Sequence, residues 1–239
     1  MKRFRACIRS DSCVRMAALA ALLAPWGAAW AWMFAPPADG RIAADLHVAR
    51  EEVALEENAS GDDAGESRLS RIGVRYAESF GDSVILAMSG GYAAATRKED
   101  PAVAGMRFTG SYAAIDFRGE RSLTARIRLV LDLRLSGSWL RDERNGTKVR
   151  HDRVQGDAGA GLLLLLRPDL LVYGGPTVTT LRLDEQLRGS VNETREFDNR
   201  KSAGWRAGIA LELEESGWIA LEGRGGAIRG FQLSFLRRF

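Results

Sequence analysis

The sequence predicts an all-β chain: a closed antiparallel transmembrane β-barrel of ten strands after an N-terminal signal peptide. Three observations carry this reading. Apolar and polar residues alternate with period two over long stretches, no segment after residue 40 sustains a helical period, and tight connections alternate with long polar ones.

The N-terminus comes first. Lys2, Arg3, Arg5, Arg9 and Arg15 precede an apolar run from Met16 to Ala38, and the small-residue pattern Ala29-Trp30-Ala31 sets cleavage near Ala31. An uncleaved anchor is the rival, since the run is long enough to span if Pro25 is tolerated. The expected organisation is a signal peptide over 1–31, a short segment over 32–40 and the barrel over 41–239. Without residues 1–31 the chain carries 29 basic and 30 acidic residues, so its basic pI belongs to the leader and no nucleic-acid partner is expected. Cys7 and Cys13 both precede the apolar run, leaving an exported part that a large core or a closed hydrogen-bonded sheet must hold together.

Strands are expected near 41–56, 69–79, 83–96, 106–117, 122–140, 155–166, 170–183, 202–214, 218–223 and 228–239. The segment 122–140 is the clearest. Leu123, Ala125, Ile127, Leu129, Leu131, Leu133, Leu135, Gly137 and Trp139 fall on one face, with Arg126, Arg128, Asp132 and Arg134 on the other. The same alternation places Val84, Leu86, Met88 and Tyr92 together, Trp205, Ala207, Ile209 and Leu211 together, and, in shorter runs, Ile72 with Val74 and Met106 with Phe108 and Tyr112. The least regular strand is 41–56, whose phase slips around Glu51-Glu52. Strands this long exceed the roughly 9 to 11 residues that cross a bilayer, which favours a membrane barrel over a soluble sandwich. Connections at 80–82, 118–121, 167–169 and 215–217 are tight, and those at 57–68, 97–105, 141–154 and 184–201 are long. Ten strands place both termini on the short-turn side; eight strands, the alternative count, would start the barrel on the other. Tyr92, Phe108, Trp139 and Trp205 near the loop ends and Phe80, Phe117, Tyr173, Trp218 and Phe239 near the turn ends predict two aromatic belts.

The terminal run Gly230 to Phe239 resembles the assembly signal of Gram-negative outer-membrane barrels, with Phe231, Leu233, Phe235 and Phe239 matching and Arg237 departing. In style the exported chain is similar to small opacity-type surface proteins. The resemblance implies residence in the outer membrane, with its lipid and lipopolysaccharide and the barrel assembly machinery as partners, and loops that could meet an extracellular ligand.

The candidate site is a set of lumen-facing charges: Arg126, Arg128, Asp132, Arg134, Arg206, Glu212, Glu214, Glu222 and Arg224. They are read as a salt-bridge network filling a narrow interior, or as the lining of a selective pore. Omptin proteases share the strand number and use a His-Asp dyad, and barrel lipid A deacylases a His-x-Ser-Asn stretch. Here His151-Asp152 lies in an expected loop with no Ser two residues on, and His47 follows Asp45 on one strand face, so neither histidine shows an oriented partner and a nucleophile in sequence. The acidic run Glu56 to Glu66 lacks the ligand spacing of a calcium loop. No catalytic residue, metal or cofactor is assigned. The expected function is a non-enzymatic outer-membrane barrel with surface loops for interaction and a charge-filled lumen, the alternative a narrow channel or solute-binding barrel.

Overall fold

A computed structural model of the chain describes residues 42–58, 63–80, 84–98, 103, 106–144, 146–189, 192–214 and 217–239. The expected signal peptide over 1–31 and the rest of the chain up to residue 41 lie outside them, as does the side chain of Glu214. Among the described residues the strands are β1 (Ile42–Glu57), β2 (Asp63–Phe80), β3 (Val84–Arg97), β4 (Phe108–Ser122), β5 (Ile127–Arg144), β6 (Thr147–Arg167), β7 (Leu170–Arg188), β8 (Glu193–Asn199), β9 (Ala203–Glu214), β10 (Gly217–Gly226) and β11 (Ile228–Arg238). Each pairs antiparallel with its neighbours. Ten of them close in the order β1 to β7, then β9, β10 and β11, and β11 returns to β1 from Ala43↔Arg238 to Val53↔Ile228. Closure leaves no unpaired strand edge at membrane depth, which is the condition for a sheet to sit in lipid.

The outer surface supplies the second condition. Leu46, Val48, Ile72, Val74, Leu86, Met88, Ile115, Leu133, Leu135, Ile209, Leu221, Phe231 and Phe235 all project outward and exposed. So large an apolar surface would drive association in water and is at rest only in a bilayer. Tyr92, Trp139, Trp205, Phe80, Phe117 and Phe239 are also exposed on this face, where amphipathic rings suit the interface. Phe108, Tyr173 and Trp218, expected beside them, instead point inward and are buried.

Their reversal follows from how the interior is filled. Its apolar clusters lie toward the two ends and most of its charges between them, with Arg97, His151 and Glu185 set within the loop-end clusters and Glu120 near the turn end. At the turn end, Ile85, Val130, Leu163, Leu171, Tyr173 and Trp218 pack together; at the loop end, Leu69, Phe108, Tyr112, Leu140 and Val149 form one cluster and Val53, Leu55, Leu181, Leu183 and Phe197 another. An apolar residue on an alternating strand therefore faces lipid at mid-height but can face the lumen near either end. The apparent phase slip in β1 has the same origin: its inward positions run unbroken through Asp45, His47, Ala49, Glu51, Val53 and Leu55.

The connections differ from expectation in four places, the first being the expected loop over 57–68, of which β2 takes the part from Asp63 onward. Leu123 to Arg126 form a turn rather than strand, with Thr124 Oγ1 accepting from the Arg126 and Ile127 amides at 3.2 and 3.0 Å. The expected loop over 141–154 is mostly strand, because β5 and β6 run on as one hairpin to a turn at Gly146, whose φ of +76° suits glycine. The expected loop over 184–201 contains the end of β7 and all of β8. β8 pairs with β7 through Arg182↔Asp198 to Leu187↔Glu193 and with β1 through Leu55↔Asn199 to Glu57↔Phe197. It thus bridges above β9, β10 and β11, which are only 12, 10 and 11 residues long. The wall has ten strands across the membrane and eight, β1 to β8, around its rim.

Candidate functional site: the charged interior

Inward positions of the long strands bring opposite charges to one level. Glu51 of β1 is the hub. It bonds Arg71 of β2, accepts from Arg153 Nη2 of β6 at 3.3 Å and lies 3.9 Å from Arg224 Nη1 of β10. Arg224 Nε reaches Glu222 Oε1 at 2.7 Å, and the same carboxylate accepts from the Tyr173 hydroxyl. Tyr173 reaches over β9 to β10 because its cross-strand partner is Gly208, where a Cβ would meet the phenol ring.

A second group lies on β4, β5 and β9. Arg206 pairs with Asp132, Arg118 Nε stands 3.4 Å from Asp132 and 3.3 Å from Glu120, and Arg128 Nη1 reaches Glu120 Oε2 at 3.3 Å. Arg134 Nε is 3.5 Å from Asp116. In an interior largely screened from water each ion needs such a partner, since an unpaired one would carry a desolvation cost of several kcal/mol. Between these groups a void of about 50 Å³ remains, lined among others by Arg75, Asp116, Arg118, Asp132 and Arg206. That is room for ordered water rather than for a solute.

Both histidines are inside and both have carboxylate neighbours. His47 Nε2 and the Tyr112 hydroxyl are 2.6 Å apart, Nδ1 is 3.4 Å from Asp45, and Arg75 Nη2 donates to Asp45 at 2.5 Å. Gly73 leaves the space that the Tyr112 hydroxyl occupies. His151 is not in a loop but on β6, fully buried, its Nδ1 2.9 Å from Glu185 Oε1 and its ring stacked on Phe108 at 4.8 Å. Arg97 reaches the same Glu185 oxygen at 3.1 Å and lies over the Phe197 ring at 4.2 Å. Chemically each cluster could hold a proton. Neither is open to a substrate, for His47 is 3% exposed and His151 0%. Among the described residues no three of His, Cys, Asp and Glu converge as metal ligands.

Of the expected lumen charges, Arg128, Asp132, Arg134, Arg206, Glu222 and Arg224 project inward, and Glu212 does so half-buried near the turn end. Arg126 does not: it sits exposed in the β4–β5 turn, because the strand starts one residue later. Sequence reasoning placed Asp45 on the face of His47 but did not read Glu51, Arg71, Arg75, Asp116, Arg118, Glu120, Arg153 and Asp157 as lumen charges. The signal for Arg71 and Arg75 was present, as both alternate with the outward Ile72, Val74 and Tyr76.

No protein-family model matches the sequence, and no curated protein matches it. Among solved structures, the chain is similar to the outer membrane protease OmpT from Escherichia coli (9% identity, 87% of this chain and 99% of that one, TM-score 0.47). It is also similar to the translocator domain of the autotransporter NalP from Neisseria meningitidis (12%, 99% and 98%, 0.46) and to Ail, the attachment invasion locus protein of Yersinia pestis (9%, 84% and 100%, 0.43). The assignment of the fold rests on the strand closure itself. With that closure and its outward apolar band, the chain has the fold of a membrane-spanning β-barrel.

Proposed function

We propose that this outer-membrane barrel is non-enzymatic, that its lumen is filled by its own ion pairs, and that its rim carries the interactions for which it is made. The observation that supports this best is the layering of the interior. A solute would have to pass an apolar tier, the ion pairs around Glu51 and Asp132, and a second apolar tier, with about 50 Å³ free among the charges. Moving one member of a buried pair aside leaves its partner exposed to a low-dielectric wall, so a path does not open by small side-chain motion. The rim, by contrast, is continuous strand held above the membrane by β8, a firm platform for contact. Against catalysis stand the burial of His47 and His151 and the occupation of His47 Nε2 by Tyr112. The test is a swelling assay on liposomes holding the folded protein, with small sugars outside, beside a binding screen of the same protein against extracellular matrix components. No swelling is expected. Swelling that scales with the amount of protein would replace this reading with a narrow channel.

A further inference from the structure

Above the membrane the outward charges of the rim are sorted by sign. On one side Arg141 of β5 stands directly opposite Arg150 of β6, and Lys148 of β6 opposite Arg188 of β7. On the other, Asp184 of β7 stands opposite Glu196 of β8, and Glu56 of β1 opposite Asp198 of β8. Like charges facing one another across a ladder destabilise a sheet, whereas opposite charges at the same positions would stabilise it. The sorting therefore answers to something outside the sheet.

Neither face neutralises itself. The basic one contains two carboxylates: Glu143 Oε2 lies 3.4 Å from Lys148 Nζ, and Asp152 accepts from Arg150 Nε at 2.7 Å. Arg141 and Arg188 are exposed and have no ion pair among the described residues. In the acidic face Arg182 serves both Asp184, at 3.3 Å, and Glu196, at 2.6 Å. Glu56 has no ion pair among the described residues. Asp198 lies in the field of its own kind: burial raises its pKa, Arg182 works against the rise, and Glu196 and Asp184 add to it. The border between the faces runs along β6 and β7, where Asp152 stands opposite Asp184.

Both faces begin at one level. Outward positions rise along β5 from Leu133 and Leu135 through Trp139 to Arg141, along β6 from Leu162 through Val154 to Arg150 and Lys148, and along β7 from Val178 to Arg182 and Asp184. In each strand the charges start just above the apolar band. The two faces also look different ways, since around the rim the pair β5–β6 is separated from β8–β1 by β7 on one side and by β2, β3 and β4 on the other.

We infer that each face is covered by a second copy of this chain, the basic β5–β6 face of one barrel docking on the acidic β8–β1 face of its neighbour in the plane of the membrane. Copies inserted with one orientation present the two faces at matching heights. The contact is heterologous, so it closes into a ring or runs on as a row. A single exposed ion pair contributes little, but several act together here, and confinement to one plane raises the effective concentration of the partner. The inference rests on the reading of the rim as the interacting part of the protein. The two fail by different measurements, for liposome swelling bears on the lumen and leaves the contact between copies untouched.

The experiment reconstitutes two batches of the full folded chain, carrying a donor or an acceptor dye on an N-terminal tag, together in phosphatidylcholine liposomes at high lipid excess. Energy transfer above that of randomly placed copies is expected. It should fall at least about twofold as salt rises from ~0.1 M to ~1 M and the screening length shrinks from about 10 Å to about 3 Å. Arg141→Glu with Arg188→Glu should reduce transfer to the random level, and so should Glu56→Lys with Asp198→Lys. An equal mixture of these two variants should restore it, because each then meets a face of opposite sign. A heat-modifiable band establishes that each variant is folded. Should a reversed variant not fold, Arg141→Gln with Arg188→Gln and Glu56→Gln with Asp198→Asn supply the comparison, each weakening transfer. Random transfer for the unmodified protein overturns the inference. Transfer that survives either reversal assigns the association to the apolar walls and overturns it equally, as does a mixture of reversed copies that stays at the random level.

Discussion

Glu51 shows how a single residue's role depends on height within the barrel. Its carboxylate faces Arg71, Arg153 and Arg224, and all four are largely removed from water. Replacing it by Ala takes from Arg71 its carboxylate and leaves Arg153 to Gln155 and Arg224 to Glu222. The expected cost is about 3–5 kcal/mol, read as a lower urea midpoint for the folded form in detergent. A midpoint within error of the unmodified protein would mean that water already satisfies these cations. His151 is a second case, since a loop position would make it dispensable. Buried between Phe108 and Glu185, it should not be: His151→Ala leaves a hole beside Phe108 and leaves Glu185 to Arg97 alone, worth about 2–4 kcal/mol in the same assay. Neither role could be read directly from the sequence. The pair Glu51-Glu52 looked like a break in phase because the polarity of the inward face changes from charged to apolar as β1 rises, and periodicity alone does not report height.

At the scale of elements the sequence was far more legible. All ten wall strands were expected within a few residues at most ends, because outward positions at mid-membrane must be apolar and alternate strictly. The errors fell where lipid imposes nothing. Beyond the membrane, the β5–β6 hairpin and β8 are polar on their outer faces and so looked like loops, although their backbones pair fully. β11 belongs to the legible class, and the residue that follows it permits a separate prediction. Phe239 is 72% exposed on the outer face, and its amide donates to Ile42 O at 3.0 Å where the barrel closes. Deleting it removes little packing, so the refolded protein should lose no more than about 1 kcal/mol. Insertion in cells should fall much further, as judged by the amount of heat-modifiable protein in outer membranes. Equal amounts with and without Phe239 would remove the assembly role that its resemblance to the terminal signal implies.

For the molecule as a whole, the arrangement of seals in series makes a prediction that differs from that for a plugged pore with one constriction. The turn-end tier centres on Trp218, 1% exposed among Leu163, Leu171 and Ala220, and the loop-end tier centres on Phe197 and Phe108. Between them stand the ion pairs, which are coupled through shared carboxylates and so resist rearrangement one at a time. Removing one tier therefore lowers stability without opening a path. Trp218→Ala and Phe197→Ala should each cost about 3–5 kcal/mol and still give silent planar-bilayer recordings. Conductance requires that water enter from both ends and solvate the middle layer, at which point the paired ions no longer need one another. The variant carrying Trp218→Ala, Phe197→Ala and Glu51→Ala together, provided that it folds, should show ion conduction that neither apolar substitution produces alone. Steady channels from Trp218→Ala by itself would show that the middle layer is already wet and continuous with the rim. The lumen would then be a pore closed by one residue at its turn end, and the surface would lose its claim to be the working part of the protein.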